Sequence, residues 1–171
     1  MASKKPSFQT SRSSGASLTP WLGIAALVVL CDQLSKIVMD KLFTLGEDKV
    51  VTSFFNLTLA YNKGMAFSLM SQAGGWQRYL LTIVAAVVLV FIVIMLKRHA
   101  SQRLFCWALA LIAGGAIGNN IIDRVAYGHV IDFLDFHWAA LHFPAFNVAD
   151  SAITLGAILL IIDELRRVNK H

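Results

Sequence analysis

The stretch Phe-Pro-Ala-Phe-Asn-Val-Ala-Asp-Ser-Ala-Ile-Thr-Leu-Gly-Ala-Ile-Leu-Leu-Ile-Ile, residues 143–162, decides the fold class. An apolar run of this length can cross a hydrocarbon core of about 30 Å as a helix. Asp150 interrupts the run, and a carboxylate near the centre of a membrane helix costs roughly 2.5–3.5 kcal/mol. Because no basic residue lies close to it in sequence, we expect Asp150 to serve a function and to face a partner or a wet cavity.

Three further apolar runs lie upstream, at residues 21–39, 79–96 and 104–122. The chain is 57% hydrophobic and 15% charged, whereas soluble domains carry about 25% charged residues. The net charge is +5, and the basic residues are scattered beside the apolar runs instead of lying on one polar face. This distribution argues against a nucleic-acid partner. We predict an all-α membrane protein with four transmembrane helices, formed by a single domain over 20–171 after a disordered cytoplasmic tail over 1–19.

The orientation of the spans follows from the basic residues that flank them, since cytoplasmic flanks carry the excess of lysine and arginine. They are more numerous in the tail, in the connection between the second and third spans, and at the C-terminus. We therefore predict that both termini are cytoplasmic and that residues 40–78 lie outside. This loop alternates β-branched and aromatic residues around turn signals, which predicts a small antiparallel β element on the periplasmic face. The second outer segment, 123–150, is too irregular to predict a strand or a helix.

Polar residues gather at the outer ends of the spans. Asp32 and Lys36 are spaced as an i, i+4 pair, so they could simply neutralise each other on one helix face or could support a site. Asp123 precedes Arg124 at a helix end, where such a pair often fixes a loop. Structural interpretations also exist for two asparagines, because Asn62 lies in a turn and Asn147 could cap the last helix. Asn119, Asn120 and Asp150 complete the layer.

The chemistry that this layer permits is acid–base catalysis by two carboxylates. Two carboxyl groups held close share a proton, and the pair can activate water and protonate a leaving group. Asp123, Asp132 and Asp135 are the candidate partners for Asp150. The sequence lacks the serine elbow and the zinc-peptidase helix, and the spacing of the loop histidines with Asp132 matches no metal motif, so no metal or cofactor is expected. A small proton-coupled transporter using the same acids and a membrane scaffold are the alternatives.

Five blocks together resemble the bacterial lipoprotein signal peptidases, the signal peptidase II family. In chain order they are Asp-Gln-Leu-Ser-Lys at 32–36, Asn-Lys-Gly-Met-Ala-Phe at 62–67, Gly-Gly at 114–115 through Asp-Arg at 123–124, Val-Ile-Asp-Phe at 130–133, and Phe-Asn-Val-Ala-Asp-Ser at 146–151. The resemblance implies an aspartic endopeptidase whose catalytic pair is Asp132 and Asp150. It also implies substrate-binding roles for Asn62, Gly64, Arg124 and Asn147, and supporting roles for Asp32, Lys36 and Asp123.

One spacing departs from the family pattern, because Gly118-Asn119-Asn120-Ile-Ile-Asp123 has one residue more than the family has between glycine and aspartate. Either Asn120 keeps the spacing to Asp123, or Asn119 keeps its preceding glycine and the helix absorbs a residue as a π-bulge. One residue rotates a helix face by about 100°, so we expect only one asparagine to face the site. We favour Asn120 as the substrate-binding residue.

The resemblance further implies the substrate and its place in the cell. The substrate would be a prolipoprotein that already carries diacylglycerol on its lipobox cysteine and is cut just before that cysteine. The enzyme would lie in the bacterial inner membrane, in contact with membrane lipid, with its active site near the periplasmic face. Inhibition by globomycin-type compounds is expected.

Overall fold

The computed structural model describes residues 17–64 and 75–169, so most of the predicted tail over 1–19 and part of the 62–67 block lie outside the described residues. The helices are α1 (Thr19–Leu42), α2 (Trp76–Arg98), α3 (Arg103–Ala116), α4 (Arg124–Ala126) and α5 (Val148–Val168). A π-helical segment, Ile117–Asp123, joins α3 to α4. The strands are β1 (Asp48–Thr52), β2 (Phe55–Asn62), β3 (Val130–Trp138) and β4 (Leu141–His142).

Three of the described helical stretches are long and apolar enough to cross a membrane: Thr19–Leu42, Trp76–Arg98 and Arg103–Ala126. Large apolar side chains such as Leu27, Val87 and Val90 are about 60% exposed on α1 and α2, as expected of helices that contact lipid. The prediction of a mainly helical membrane protein with a small antiparallel sheet is therefore confirmed.

The predicted fourth span corresponds to α5, which begins at Val148 instead of residue 143. Residues 143–147 are not helical, because Leu134 forms a β-bridge with Phe146 and Asn147 caps the helix. Acidic and basic residues from Asp163 onward shorten the uncharged part of α5 to residues 151–162. A fourth membrane span over α5 stays a prediction.

The α3 helix is the centre of the bundle, with α1 and α5 packed against it. Small residues make this close packing possible. A Cβ added at Gly114 would lie 2.6 Å from Cβ of Val28 on α1, and one added at Gly115 would lie 2.5 Å from the carbonyl oxygen of Ala149 on α5. The two glycines thus bring the backbones of three helices together, which places the first turn of α5 beside the end of α3.

The sheet has the order β1-β2-β3-β4 with every neighbouring pair antiparallel. Its apolar residues Leu59, Ile131 and Phe133 pack with Met39 near the end of α1, so the sheet sits on one end of the bundle. The 40–78 loop supplies β1 and β2, as its alternation predicted. The segment without a prediction, 123–150, supplies β3, whose register against β2 pairs Asp132 with Ala60.

Candidate active site

Asp150 lies in the first turn of α5, where its backbone and its carboxylate are both bound to Asn147. The side chain of Asn147 accepts a hydrogen bond from the Asp150 N–H at 2.9 Å, and Asp150 Oδ2 accepts one from the Asn147 N–H at 3.1 Å. This reciprocal capping box starts the helix. It also fixes Asp150 at the end of α5 that meets the sheet, so the expectation that Asn147 caps the helix is confirmed.

Asp132 lies on β3 and is 4% exposed. Its Oδ1 accepts a hydrogen bond from the Asn147 side-chain amide at 2.8 Å, and its Oδ2 accepts one from the Asn62 amide at 3.1 Å. Asn147 therefore contacts both carboxylates, one through its side chain and the other through its backbone N–H. The fold brings Asp132 and Asp150 together although one belongs to a strand and the other to a helix.

The two carboxylates line one cavity of about 710 Å³. Burial and, after it, the nearby charge of Asp150 together raise the pKa of Asp132 from its usual 3.8 to about 7, against the opposing effect of the two asparagine donors. An acid with this pKa exchanges its proton near neutral pH, which suits general acid–base catalysis. Of the other two candidate partners for Asp150, Asp123 belongs to a separate buried cluster and Asp135 contacts Asn56 and His142.

A buried ionic cluster lies next to the cavity. The Lys36 ammonium is 2.7 Å from Asp32 Oδ2 and 2.7 Å from Asp123 Oδ2, and all three side chains are at most 2% exposed. The Gln33 amide donates to both aspartates. Asp32 and Lys36 thus form the predicted i, i+4 pair and also bind a second helix. Asp123 forms its ion pair with this lysine, and no ion pair between Asp123 and Arg124 is found among the described residues.

Asn119 connects this cluster to Asp150. Its Oδ1 accepts a hydrogen bond from Lys36 Nζ at 2.6 Å, and its Nδ2 donates to Asp150 Oδ1 at 2.8 Å. Asn120 lines the cavity as expected, but the expectation that only one of the two asparagines faces the site is wrong. The helix absorbs the extra residue in the π segment, which widens the turn, so that Asn119 and Asn120 both line the cavity.

Arg124 forms the other side of the cavity together with the turn after β2. Its Nη2 donates to the carbonyl oxygen of Gly64 at 2.6 Å and its Nε donates to Asn120 Oδ1 at 3.2 Å. The Gly64 N–H donates to Asn62 Oδ1 at 3.0 Å. Arg124 therefore holds the turn that carries Asn62, and its buried Nη1 is left without a protein partner in the described residues.

The remaining lining is mainly apolar. It comes from α2, from the start of β3, from the segment before α5 and from α5. The residues are Leu81, Val130, Phe143, Pro144, Ala145, Phe146, Ile153, Leu155 and Ile158, with the hydroxyls of Ser151 and Thr154. The cavity thus has a long apolar part and a polar end. This shape suits an extended apolar peptide whose backbone reaches the two carboxylates.

The loop histidines do not converge on Asp132. The His129 ring stacks on Tyr61 at 4.1 Å, while His142 contacts Asp135 and stacks on His137. Within 17–64 and 75–169, no three His, Cys, Asp or Glu side chains are grouped so as to hold a metal ion.

The sequence matches the family model described as signal peptidase (SPase) II over residues 24–166. The chain belongs to the signal peptidase II family. Signal peptidases are proteases, and membership of this family does not support the transporter alternative.

Curated relatives agree over nearly the full length. The lipoprotein signal peptidase of Janthinobacterium sp. (strain Marseille) is 62% identical over 170 residues, which cover 99% of this chain and 100% of that protein. The lipoprotein signal peptidase of Cupriavidus taiwanensis is 59% identical over 171 residues, which cover 99% of this chain and 96% of that protein.

A solved structure of a bacterial membrane enzyme, determined by the in meso method at 2.3 Å, is also similar. It has 32% sequence identity and a TM-score of 0.80, with 90% of this chain and 92% of that chain covered. A second membrane enzyme structure, at 1.9 Å, has 33% identity and a TM-score of 0.75, with 86% and 94% covered.

Sequence analysis missed two residues of this region, Asn119 as the partner of Asp150 and Gln33 in the ionic cluster. The signal for Asn119 was present, since the extra residue before Asp123 allowed a π-bulge. The signal for Gln33 was its position between Asp32 and Lys36, but a helical side chain one residue from an acid does not normally share its face.

Proposed function

We propose that this signal peptidase II family member is an aspartic endopeptidase that removes the signal peptide from diacylglyceryl-modified prolipoproteins, cutting just before the lipidated cysteine. The substrate class follows from the lipoprotein signal peptidases that the chain resembles over their whole length. The observation that carries the catalytic type is the placement of Asp132 and Asp150 in one cavity, both bound to Asn147.

In the proposed reaction the two carboxyl groups hold one proton between them. The ionised carboxylate takes a proton from water as the water oxygen bonds to the scissile carbonyl carbon. The protonated carboxyl group donates its proton to the departing nitrogen as the carbon–nitrogen bond breaks. The proton is assigned to the pair, since coupled acids titrate as a unit. Water is consumed, and the products are a free signal-peptide carboxylate and the amine of the lipidated cysteine.

The polar residues around the pair fit the substrate backbone. The side-chain amides of Asn62 and Asn147 orient Asp132. The Nη1 of Arg124 has no hydrogen-bond partner within 17–64 and 75–169, and it is available to a substrate carbonyl. Asn120 and Gly64, both bound by Arg124, complete this wall. The apolar part of the cavity between α2 and α5 would take the signal peptide, which is itself apolar.

We further propose four spans in the bacterial inner membrane, with both termini cytoplasmic and the active site near the periplasmic face. Basic residues at the end of α2, at the start of α3 and at the end of α5 support this orientation, because such residues remain on the cytoplasmic side. The sheet and the acids lie at the opposite ends of these helices. Labelling Asp48→Cys, on β1, with an impermeant thiol reagent in intact cells tests it, and protection of that position would contradict it.

The catalytic proposal is tested with purified protein and a synthetic pro-peptide whose lipobox cysteine carries diacylglycerol. Asp132→Asn and Asp150→Asn are expected to remain folded and to lose cleavage. The matched control is Asp135→Asn, on the same strand and 7% exposed, which should keep cleavage because Asp135 points to Asn56 and His142. Full processing by either of the first two variants would disprove the dyad.

Two further arms of the same assay test the substrate class. The pro-peptide without its diacylglyceryl group should remain uncut, and globomycin should block cleavage of the lipidated one. Equal cleavage of both peptides would retain the peptidase and reject the lipid requirement.

A further inference from the structure

Lys36 and Asn119 form a continuous path of buried polar contacts from the ionic cluster to Asp150. We propose that they are positioning residues for Asp150, with Lys36 fixing the orientation of the Asn119 amide so that its N–H, and not its carbonyl oxygen, meets the Asp150 carboxylate. This inference rests on the proposed peptidase function and concerns a residue to which sequence analysis gave no role.

The two neighbours of the Asn119 side-chain amide allow it only one orientation. A lysine ammonium has donors only, and an ionised carboxylate has acceptors only. Asn119 lies between the two, with Oδ1 at 2.6 Å from Lys36 Nζ and Nδ2 at 2.8 Å from Asp150 Oδ1. A flipped amide would face donor to donor on one side and acceptor to acceptor on the other. With the residue 5% exposed, no bulk solvent would relieve these contacts.

Lys36 reaches Asp150 both through this amide and through its charge. The ammonium donates to Asp32 Oδ2 at 2.7 Å and to Asn119 Oδ1 at 2.6 Å, and it forms an ion pair with Asp123 Oδ2 at 2.7 Å. Its hydrogen-bonded path to Asp150 therefore runs through Asn119. The orienting effect of Lys36 on Asp150 should disappear when the Asn119 amide is absent, whereas the effect of its charge should remain.

Asp32 adds a second contact to the same turn of α5. Its Oδ1 accepts a hydrogen bond at 2.9 Å from the backbone N–H of Ala149, the residue before Asp150. The cluster thus holds both the backbone and the side chain of the first turn of α5. Charge pairing between Asp32 and Lys36 alone would need neither contact.

The π segment makes the arrangement possible. Its extra residue allows two consecutive asparagines to face the cavity with different partners: Asn119 contacts Lys36 and Asp150, and Asn120 contacts Arg124. The backbone carbonyl of Asn120 also accepts a hydrogen bond from Thr82 on α2 at 2.9 Å. The two positioning tasks are therefore divided between neighbouring residues.

Asn119→Leu is the deciding variant, because it nearly keeps the size of the side chain and removes the amide donor that faces Asp150. We expect it to be folded, with a lower Tm because Lys36 loses one acceptor in the buried cluster. Its kcat on the diacylglyceryl pro-peptide should fall about 10–100-fold, since a misplaced catalytic group costs about that much, while KM changes less than about twofold because substrate binding rests mainly on the apolar wall. An unchanged kcat would overturn the proposal.

A double-mutant cycle tests the path itself. Asn119→Ala and Lys36→Met should each lower kcat, and the double variant should lose less than the product of the two single effects, because both act in part through the same amide. Effects on kcat that multiply would overturn the proposal. If Lys36→Met does not fold, Asn119→Leu still decides.

Gln33→Met is the matched control, since Gln33 donates to Asp32 and Asp123 in the same cluster. It should lower the Tm and leave kcat within about twofold, because it does not remove the donor to Asp150. A fall in kcat as large as that of Asn119→Ala would show that any disturbance of the cluster slows the reaction, and would overturn the specific role. An unmodified chain that does not cut the lipidated peptide would instead refute the proposed function.

Discussion

The raised pKa of Asp132 predicts a component of the pH dependence of stability that one substitution should remove. The folded carboxyl group has a pKa of about 7 against its usual 3.8. Between these values the folded chain binds a proton that the unfolded chain has released. Stability therefore falls as the pH rises through this window and becomes constant above about pH 7.

The magnitude follows from the size of the shift, since one pKa unit corresponds to about 1.4 kcal/mol. Across the whole window the loss is about 4 kcal/mol, of which about 2.5 kcal/mol falls between about pH 5 and pH 8.5. For a chain of this size, that part corresponds to a decrease in Tm of roughly 5–10 °C.

The assay compares the thermal unfolding of the unmodified chain and Asp132→Asn in detergent micelles at several pH values. The amide cannot ionise, so the variant should lack this component of the pH dependence. One of the two asparagine donors that face Asp132 will meet an amide N–H in the variant, which lowers stability by an amount that does not vary with pH. The difference in Tm between the two proteins should therefore change with pH in favour of the variant.

The control is Asp48→Asn, an exposed carboxylate on the same sheet. It should keep the pH dependence of the unmodified chain. Parallel Tm curves for the unmodified chain and Asp132→Asn from about pH 5 to pH 8.5 would refute the reasoning, because they would mean that Asp132 is ionised throughout this range.

Two further substitutions test the packing that positions the site. Gly118→Ala should destabilise the fold by about 1–3 kcal/mol, because the new Cβ would lie 2.5 Å from Asp32 Oδ2. Its control is Gly23→Ala, where the new Cβ has nothing within 4 Å, so this variant should be neutral or stabilising. Equal Tm values for the two variants would contradict this. Leu59→Ala should lower the free energy of unfolding by about 2–5 kcal/mol, because Leu59 is 1% exposed in the sheet core. Val50→Ala, at a 74% exposed position, should change the Tm little. Urea or thermal unfolding of the purified variants measures both, and a large effect at Val50 would show that β1 is covered.

Local patterns in the sequence predicted most of the helices and the two strands of the 40–78 loop. The length of an apolar run sets whether it can span a membrane, and the sheet residues of 40–78 alternate in the usual way. Both properties depend on neighbours along the chain. The same logic identified Asp150, because a carboxylate inside an apolar run is conspicuous without any knowledge of its partner.

Local patterns could not identify the partner of Asp150. Three aspartates of the 123–150 segment were equally available, and the family resemblance, not the spacing, selected Asp132. In the structure this choice depends on the pairing of β3 with β2 and on the capping of α5 by Asn147. Strand register is a long-range property, and β3 itself lacked a clear pattern, so residues alone could not have made the choice.

Asn119 and Asn120 show the same difference between what local sequence determines and what the folded structure determines. The sequence by itself determined that a residue had been added before Asp123 and that an α-helix and a π-bulge were the two ways to hold it. Only the tertiary structure decided between them, because Lys36 on α1, Asp150 on α5 and Arg124 on α4 each bind one of the two side chains. Helical rotation near a buried site is set by the contacts with neighbouring helices, and those contacts exist only in the folded protein.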